Sequence, residues 1–428
     1  MPNQNIFCAV PWHNTHLYWD GTYGVCCSES QKPIGAHYNI KNTDVVKWYD
    51  SDTIKHFRQR LLGDERLPEC SNCYKEEIHG HESRRIRENY KVAIFTEQAF
   101  DKSYDQSPWK KNFNTHTNKL PIDWHIDFGN ECNLACKMCY PRASSKIAAQ
   151  YDKWNISYQK NKNWINDDTS WQQFLDNVKL VPNLHRIHVM GGEPFVNKKF
   201  TLFVKWLLDN NLTNISLSFV TNGTILNNEL IADLKKFAKV DIEISVESIS
   251  DNNHYIRQGS QTEQIWKNIQ YLHSLQDDSF TIVLRSVPQL LNINNYHLYI
   301  DKAFEMGVSI QSIPLINPEY LAISVLPYDI RQSFRNNYVK TKEKILEKSQ
   351  HNFKTISVGR DTSRLSLQLT RECDTVIAFL DSAEPDNKEL LRQELVEWLV
   401  KWDRVYQLNA LDFYPEYRNF LLSYGYSI

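Results

Sequence analysis

The stretch Glu131–Tyr140, reading E-C-N-L-A-C-K-M-C-Y, constrains this chain more than any other, because it sets Cys132, Cys136 and Cys139 in a C-x3-C-x2-C array. Three thiolates this close can hold a [4Fe-4S] cluster by three of its irons and leave the fourth iron open for another ligand. Zinc is the competing occupant of three or four cysteines, although zinc knuckles usually pair two C-x2-C units. The preceding segment Trp124–Gly129 (W-H-I-D-F-G) alternates large and polar residues as a strand does. The array is therefore expected on a loop leaving a strand, where α/β barrels place their chemistry.

With 428 residues the chain is long enough for two or three domains. Lys and Arg number 49 against 51 Asp and Glu, so there is no basic excess for wrapping nucleic acid, and no nucleic-acid partner is expected. The opening M-P-N-Q-N-I-F-C-A-V-P-W lacks a charged segment followed by an apolar run, and no apolar run approaches the ~20 residues of a membrane span. The expectation is a cytoplasmic protein with no membrane partner. Nine cysteines in such a chain argue for metal or redox chemistry rather than disulfides. Cys373 stands alone and reads as an ordinary thiol.

From about 121 to 318, strand-like and helix-like stretches alternate, as a βα barrel requires. After Trp124–Gly129, strands are expected at Arg186–Met190, Ile215–Val220, Val240–Val246, Phe280–Val287 and Ser309–Leu315. Gly191-Gly192-Glu193-Pro194 closes the second strand, and its two glycines let the backbone approach a ligand closely. Asn222 lies in the Asn-Gly turn T-N-G-T after the third. Ser245 and Glu247 share a face at the end of the fourth, and Arg285, mid-strand in the fifth, needs a partner if it faces inward. His125 and Asp127 occupy alternate positions of the first strand, so one set of its residues could meet a substrate; the other histidines, His13, His16, His79, His81, His185 and His188, make no recognisable ligand spacing. The last 110 or so residues are mostly helical, with Leu391, Leu395, Trp398, Leu399, Trp402 and Val405 along one amphipathic face.

The cysteine spacing, G-G-E-P, the S-x-E of Ser245–Glu247 and Tyr255-Ile256-Arg257-Gln258-Gly259 together resemble the radical S-adenosylmethionine (SAM) superfamily. The resemblance implies an α/β fold with a partial (β/α)6 TIM-like barrel at 121–318. It implies a [4Fe-4S] cluster on Cys132, Cys136 and Cys139 whose open iron chelates SAM. It further implies reductive cleavage of SAM to a 5′-deoxyadenosyl radical that takes a hydrogen from a substrate, with an electron donor such as flavodoxin or ferredoxin. Met138, Tyr140, Gly191, Gly192, Glu193, Pro194, Asn222, Ser245, Glu247, Arg257 and Arg285 become candidate SAM contacts, Arg257 as a guanidinium for the SAM carboxylate. Two positions depart from the family pattern: Met138 stands where an aromatic residue often touches adenine, and Glu247 where aspartate is usual. A thioether can pack on a purine too.

Residues 1–92 form a first cysteine-bearing unit. The H-L-Y-W run before Asp20-Gly21 signals a hairpin that would draw Cys8 and Cys26 together, and P-E-C-S-N-C-Y then delivers Cys70 and Cys73. This combination is similar to twitch, the half-sized relative of SPASM auxiliary-cluster domains, here preceding the barrel instead of following it. The similarity implies a fully ligated auxiliary [4Fe-4S] cluster on Cys8, Cys26, Cys70 and Cys73, with structural zinc as the alternative metal. Cys26 and Cys27 are adjacent, and on a strand only one of two neighbours faces the metal. Residues 93–120 read as a linker and 319–428 as a helical C-terminal region.

The leading reading is an enzyme that performs a net oxidation, on a peptide or on a sugar or other small metabolite. No separate leader-peptide-binding domain is evident before Cys8, which weighs against a peptide. The competing class is a non-catalytic Fe–S carrier or zinc module, which has no need of the G-G-E-P, S-x-E and Y-I-R-x-G series.

Overall fold

A computed structural model of the chain describes residues 6–29, 33–78, 82–95, 113–117, 119–160, 163–315, 317–351 and 362–428. Most of the expected linker, together with His79 and His81, lies outside the described residues. The strands are β1 Asn14–Leu17, β2 Thr22–Gly24, β3 Gly35–Asn39, β4 Asp123–Asp127, β5 Ala135–Cys136, β6 Arg186–Met190, β7 Ser216–Thr221, β8 Val240–Ser245, β9 Arg257–Gln258, β10 Phe280–Ser286 and β11 Ile310–Ser312. Two compact units emerge, one of residues 1–131, 151–219 and 232–240 and one of 132–150, 220–231 and 241–428.

In the first unit the strands lie in the order β7-β6-β4-β1-β2-β3. β4, β6 and β7 are parallel, separated in sequence by the helices Asp168–Leu180 and Lys198–Asp209. The residues on their helical side are apolar and buried: Ile126, Ile187, Val189, Leu217 and Phe219 are at most 1% exposed. Helix Lys198–Asp209 covers that face with Phe200, Phe203, Val204 and Leu207. The hairpin β1–β2 forms as expected from the Asp20-Gly21 turn, where Gly21 takes φ +83°. Its strand β1 pairs in parallel with β4, so the cysteine-bearing N-terminal segment continues the same sheet.

The second unit holds β8, β10 and β11 as neighbours in that order, with β10 and β11 parallel. Its helices include Thr262–Ser274, Tyr296–Met306, Tyr328–His351, Thr362–Asp381 and Lys388–Tyr406. The last carries most of the expected amphipathic face, burying Leu391, Leu395, Leu399 and Trp402, whereas Val405, expected on that face, is 41% exposed at the helix end. Tyr255, Tyr296, Tyr299, Tyr338, Tyr414 and Tyr417 are all below 2% exposed, so phenol rings fill much of this core. Strands and helices thus alternate through the chain in an α/β fold of the partial-barrel kind, and neither strand series closes on itself. No described helix is long and apolar enough to cross a membrane.

Candidate functional site

Cys132, Cys136 and Cys139 lie on a loop built from both of its ends. At one end the Ser145 hydroxyl sits 3.2 Å from both the Cys132 amide nitrogen and carbonyl oxygen, while the Ser144 hydroxyl donates to the Leu134 carbonyl at 2.8 Å. Both serines stand at the start of the helix Ser145–Lys153, so the helix entry holds the loop. In the middle, β5 pairs antiparallel with β9, which sets Cys136 opposite Arg257, and the Lys137 amide donates to the Ile256 carbonyl at 2.8 Å. Lys137 turns inward: its ammonium donates to the Tyr255 carbonyl at 2.9 Å and lies 3.8 Å from the Tyr255 ring centroid and 5.3 Å from that of Trp402. Tyr255 in turn donates to Asp403 at 3.0 Å, and Asp403 also accepts from Tyr426 and from the Ala410 amide. The end of the helix Lys388–Tyr406 therefore braces the segment that faces the cysteine loop.

Burial pushes the Cys136 thiol up to about 12, against the pull of the Arg257 guanidinium. Burial, aided by the neighbouring Cys132 thiolate, pushes Cys139 up to about 11. Thiols raised in this way keep their protons at neutral pH, so metal loading at them releases protons. Three soft sulfur donors on one loop, with a guanidinium alongside to offset their charge, suit an iron–sulfur cluster. Met138 is half-buried, and Tyr140, 48% exposed, stacks under Arg142 at 4.4 Å.

The remaining SAM candidates are placed in two groups. Within the second unit, Asn222 donates to the Asn133 side chain at 2.8 Å and accepts from the Thr224 amide, which ties the T-N-G-T turn to the residue after Cys132. Ser245 is buried at the end of β8. Glu247, wholly buried, accepts from Arg257 Nε at 3.1 Å and Nη2 at 2.5 Å through Oε1, and from the Val287 amide at 2.8 Å through Oε2. Arg257 Nη1 points at Cys136 Sγ, 3.7 Å away. Arg257, expected to face a carboxylate of SAM, is thus held by a carboxylate of the chain itself. Arg285 has the partner its position demanded, bonding Glu243.

Within the first unit, Gly191 and Gly192 take φ +81° and +60°, and a Cβ would stand 2.6 Å from the Gly129 carbonyl oxygen in one and 2.5 Å from that of Glu131 in the other. The close approach that the glycines permit is to the 129–131 segment, whose last residue precedes Cys132 in the chain. Glu193 confirms the contact by donating its amide to the Glu131 carbonyl at 2.8 Å, while its buried carboxylate accepts from the Phe195 amide. Pro194 is buried beside it.

The four other candidate metal ligands also belong to this unit. Asn89 donates to the Phe7 carbonyl at 2.9 Å and accepts from the Ala9 amide at 2.8 Å, fixing the backbone around Cys8. Asn72, between Cys70 and Cys73, donates to the Ser28 carbonyl at 3.3 Å and so ties that pair to the Cys26 turn. Burial above all pushes the Cys8 thiol up to about 12, and the nearby Cys73 thiolate adds to it. Cys70 is raised by burial and then by Cys8 and Cys73, and Cys26 by burial, against the pull of Arg84, and then by Glu29, Cys27 and Cys73. Cys27 instead accepts from Arg84 Nη1 at 2.8 Å. Cys8, Cys26 and Cys70 each sense Cys73, and the four sulfur donors together fit a fully ligated metal centre.

The sequence reading passed over a polar row that runs across this sheet. Register sets His16 opposite His125, His125 opposite His188 and His188 opposite Ser218, all on the face turned away from the helices. His125 accepts at Nε2 from Arg186 at 2.9 Å, since a guanidinium only donates, and Arg186 is forked onto Asp123. The Nδ1 of His125 is therefore the protonated nitrogen, and it is buried with no hydrogen-bond partner; both ring nitrogens of His16 are likewise buried without one. His16 Nε2 lies 3.5 Å from Asp127, and the His125 and His188 ring centroids are 4.7 Å apart. Burial, reinforced by Arg84, holds His125 well below the usual imidazole range, so it is neutral. Only position parity on the paired strands could have found this row, and that needs the register.

Residues 126–286 match the family model of the Radical SAM superfamily. Among characterised proteins, the chain is similar to the GTP 3′,8-cyclase of Campylobacter jejuni subsp. doylei, at 25% identity over 126 residues, 29% of this chain and 34% of that one. The corresponding enzyme of Campylobacter jejuni subsp. jejuni serotype O:2 matches equally. The chain thus spans about a third of the length of these relatives. Of solved structures, Streptococcus suis SuiB bound to S-adenosylmethionine aligns with a TM-score of 0.38 and 15% identity, covering 76% of this chain and 69% of that one. Native anSMEcpe with bound AdoMet aligns at 0.40 and 16%, covering 54% and 62%. Likenesses at this level bear on neither substrate nor mechanism.

Proposed function

The chain carries a radical SAM domain at residues 126–286, and on that premise we propose that it cleaves SAM reductively and uses the resulting radical to oxidise a substrate. The observation that carries this reading is the loop of Cys132, Cys136 and Cys139, three thiols within the matched domain and braced at both ends. Cluster and SAM together, when bound, supply one-electron cleavage of a sulfonium and hydrogen abstraction from carbon. The chain's own residues hold and exclude. Ser144, Ser145 and β9 fix the loop, Lys137 anchors it inward, and the Gly191-Gly192 turn supports the segment that enters it. Met138 and Tyr140, flanking Cys139, are the residues we assign to the adenine of SAM, and Ser245 and Asn222 to its polar groups.

Cys8, Cys26, Cys70 and Cys73 are assigned to an auxiliary [4Fe-4S] cluster in a twitch-like N-terminal segment. Of the adjacent pair we assign Cys26 as the ligand, because the Cys27 sulfur already accepts a hydrogen bond from Arg84. A centre with four protein ligands has no open iron for a substrate, which suits it to accept an electron from one. The row of His16, His125 and His188 is the region we assign to the substrate, because the buried ring nitrogens of His16 and the His125 Nδ1–H are left without hydrogen-bond partners in the chain, and the His125 N–H calls for an acceptor oxygen. Hydroxyl or carbonyl oxygens meet that demand, whether on a sugar-like metabolite or on a peptide backbone.

The test is anaerobic reconstitution with iron and sulfide, followed by reduction and addition of SAM. 5′-Deoxyadenosine should form, and EPR of the reduced protein should change on SAM binding. A protein that binds zinc in preference to iron at Cys132, Cys136 and Cys139, or leaves SAM intact, refutes the reading.

A further inference from the structure

The position of Arg257 implies a role different from a SAM contact. Glu247 is wholly buried and Arg257 nearly so, and removing two charges from water costs several kcal/mol per ion unless close pairing offsets it. The pair is closely held. Glu247 takes two guanidinium nitrogens on Oε1, and its Oε2 accepts from the Val287 amide and from Asn292. Asn292 also donates to the Glu247 carbonyl, and Asn253 accepts from the Glu247 amide. What this frame leaves pointing outward is Nη1, and its neighbour is Cys136 Sγ at 3.7 Å. The β5–β9 pairing sets the two residues directly opposite, so the contact is built by backbone register as well as by the side chains.

We propose that Arg257 is a positioning residue that tunes the reduction potential of the cluster held by Cys132, Cys136 and Cys139, with Glu247 both aiming its guanidinium and moderating its charge. The inference rests on the radical SAM reading of that loop. Its physics is that reduction adds one negative charge shared over iron and sulfur. A cation donating to a ligand sulfur stabilises the reduced state more than the oxidised one. Glu247, one negative charge behind the guanidinium, opposes this. The two residues therefore pull the potential in opposite directions.

The experiment is a redox titration followed by EPR on the reconstituted full chain, for the parent, Arg257→Gln and Glu247→Gln, with iron and sulfide quantified in each. In Arg257→Gln the ratio of reduced to oxidised cluster at a fixed potential should fall about tenfold, a shift of about 59 mV downward for a one-electron couple. In Glu247→Gln the ratio should rise, because the carboxylate is lost and the guanidinium stays. Opposite displacements at parental iron content establish the role. Potentials that stay put, or that move the same way in both variants, overturn it and assign the pair to structure alone. If Arg257→Gln does not load iron, Glu247→Gln still decides by its sign. A parent that holds no [4Fe-4S] cluster overturns the radical SAM reading itself, whereas a normal parental cluster with unshifted variants overturns only this inference.

Discussion

Gly192→Ala tests whether the G-G-E-P turn works by packing against the entry to the cysteine loop. At φ +60° the added Cβ costs roughly 1 kcal/mol in backbone strain. The Cβ would also meet the Glu131 carbonyl oxygen at 2.5 Å and its amide nitrogen at 3.1 Å, both backbone atoms that cannot rotate aside. Relieving an overlap of that kind typically costs about 1–3 kcal/mol. Glu131 is joined to Cys132 by one peptide bond, so its displacement passes straight to the first ligand of the cluster loop. If about 1.4 kcal/mol of the strain reaches the site, SAM affinity falls about tenfold. The assay is equilibrium dialysis of SAM against anaerobically reconstituted protein, with iron measured in parallel. Gly425→Ala is the control: φ is +83° there but nothing lies within 4 Å, so it carries the conformational cost without the collision. Gly192→Ala should bind SAM weakly while Gly425→Ala binds as the parent does. Parental affinity in Gly192→Ala, or equal losses in both, refutes the argument.

Replacing Cys132, Cys136 and Cys139 together by Ala should abolish 5′-deoxyadenosine formation and leave iron bound at the N-terminal cysteines; retained SAM cleavage, read by chromatography, counts against the assignment. Cys8→Ala should lower the iron content from roughly eight to roughly four per chain while SAM cleavage persists, and unchanged iron would assign its ligand elsewhere. His125 is held neutral in the folded chain and takes a proton on unfolding, so stability should fall as the pH drops below its ordinary value of 6.5. His125→Gln should flatten that slope in urea unfolding between pH 6.5 and 5, and an unchanged slope would place the titrating group elsewhere. Asp403→Asn weakens a hub that accepts from Tyr255, Tyr426 and the Ala410 amide, and should cost about 2 kcal/mol of stability; a melting temperature equal to the parent's would deny it that role.

Much of this molecule is legible in one dimension because its signals are local. Arg186–Met190 appears as a strand with the expected bounds, the strand at 216–221 is shifted by one residue, and those at 240–245 and 280–286 differ by one residue at an end, since alternation and turn chemistry act over a few neighbours. The hairpin before Asp20-Gly21 and the amphipathic helix through Leu391–Trp402 were readable for the same reason. The expected strand at Ser309–Leu315 shortens to Ile310–Ser312, where the only described pairing is with β10. The cysteine spacing carried the proposed chemistry, because three soft ligands proposed for one cluster lie close along the chain when a single loop supplies them.

Partnerships between distant residues were not legible. Spacing makes Arg257 a cation near the cysteines, but only the fold gives it Glu247 as partner and Cys136 as target. Gly191 and Gly192 are visibly glycines of close approach, but that they approach Gly129 and Glu131 depends on where two loops meet. His16, His125 and His188 stand far apart in sequence and share no motif, yet strand register aligns them in one buried row. That Arg84, more than fifty residues away, donates to Cys27 could not be read from the adjacent pair of cysteines. Sequence alone determined which donors and which elements the chain possesses, because propensity, turn chemistry and ligand spacing are short-range. Tertiary structure decided which charges neutralise one another and which face of the sheet is polar, because desolvation and pairing depend on neighbours that the chain brings together only by folding.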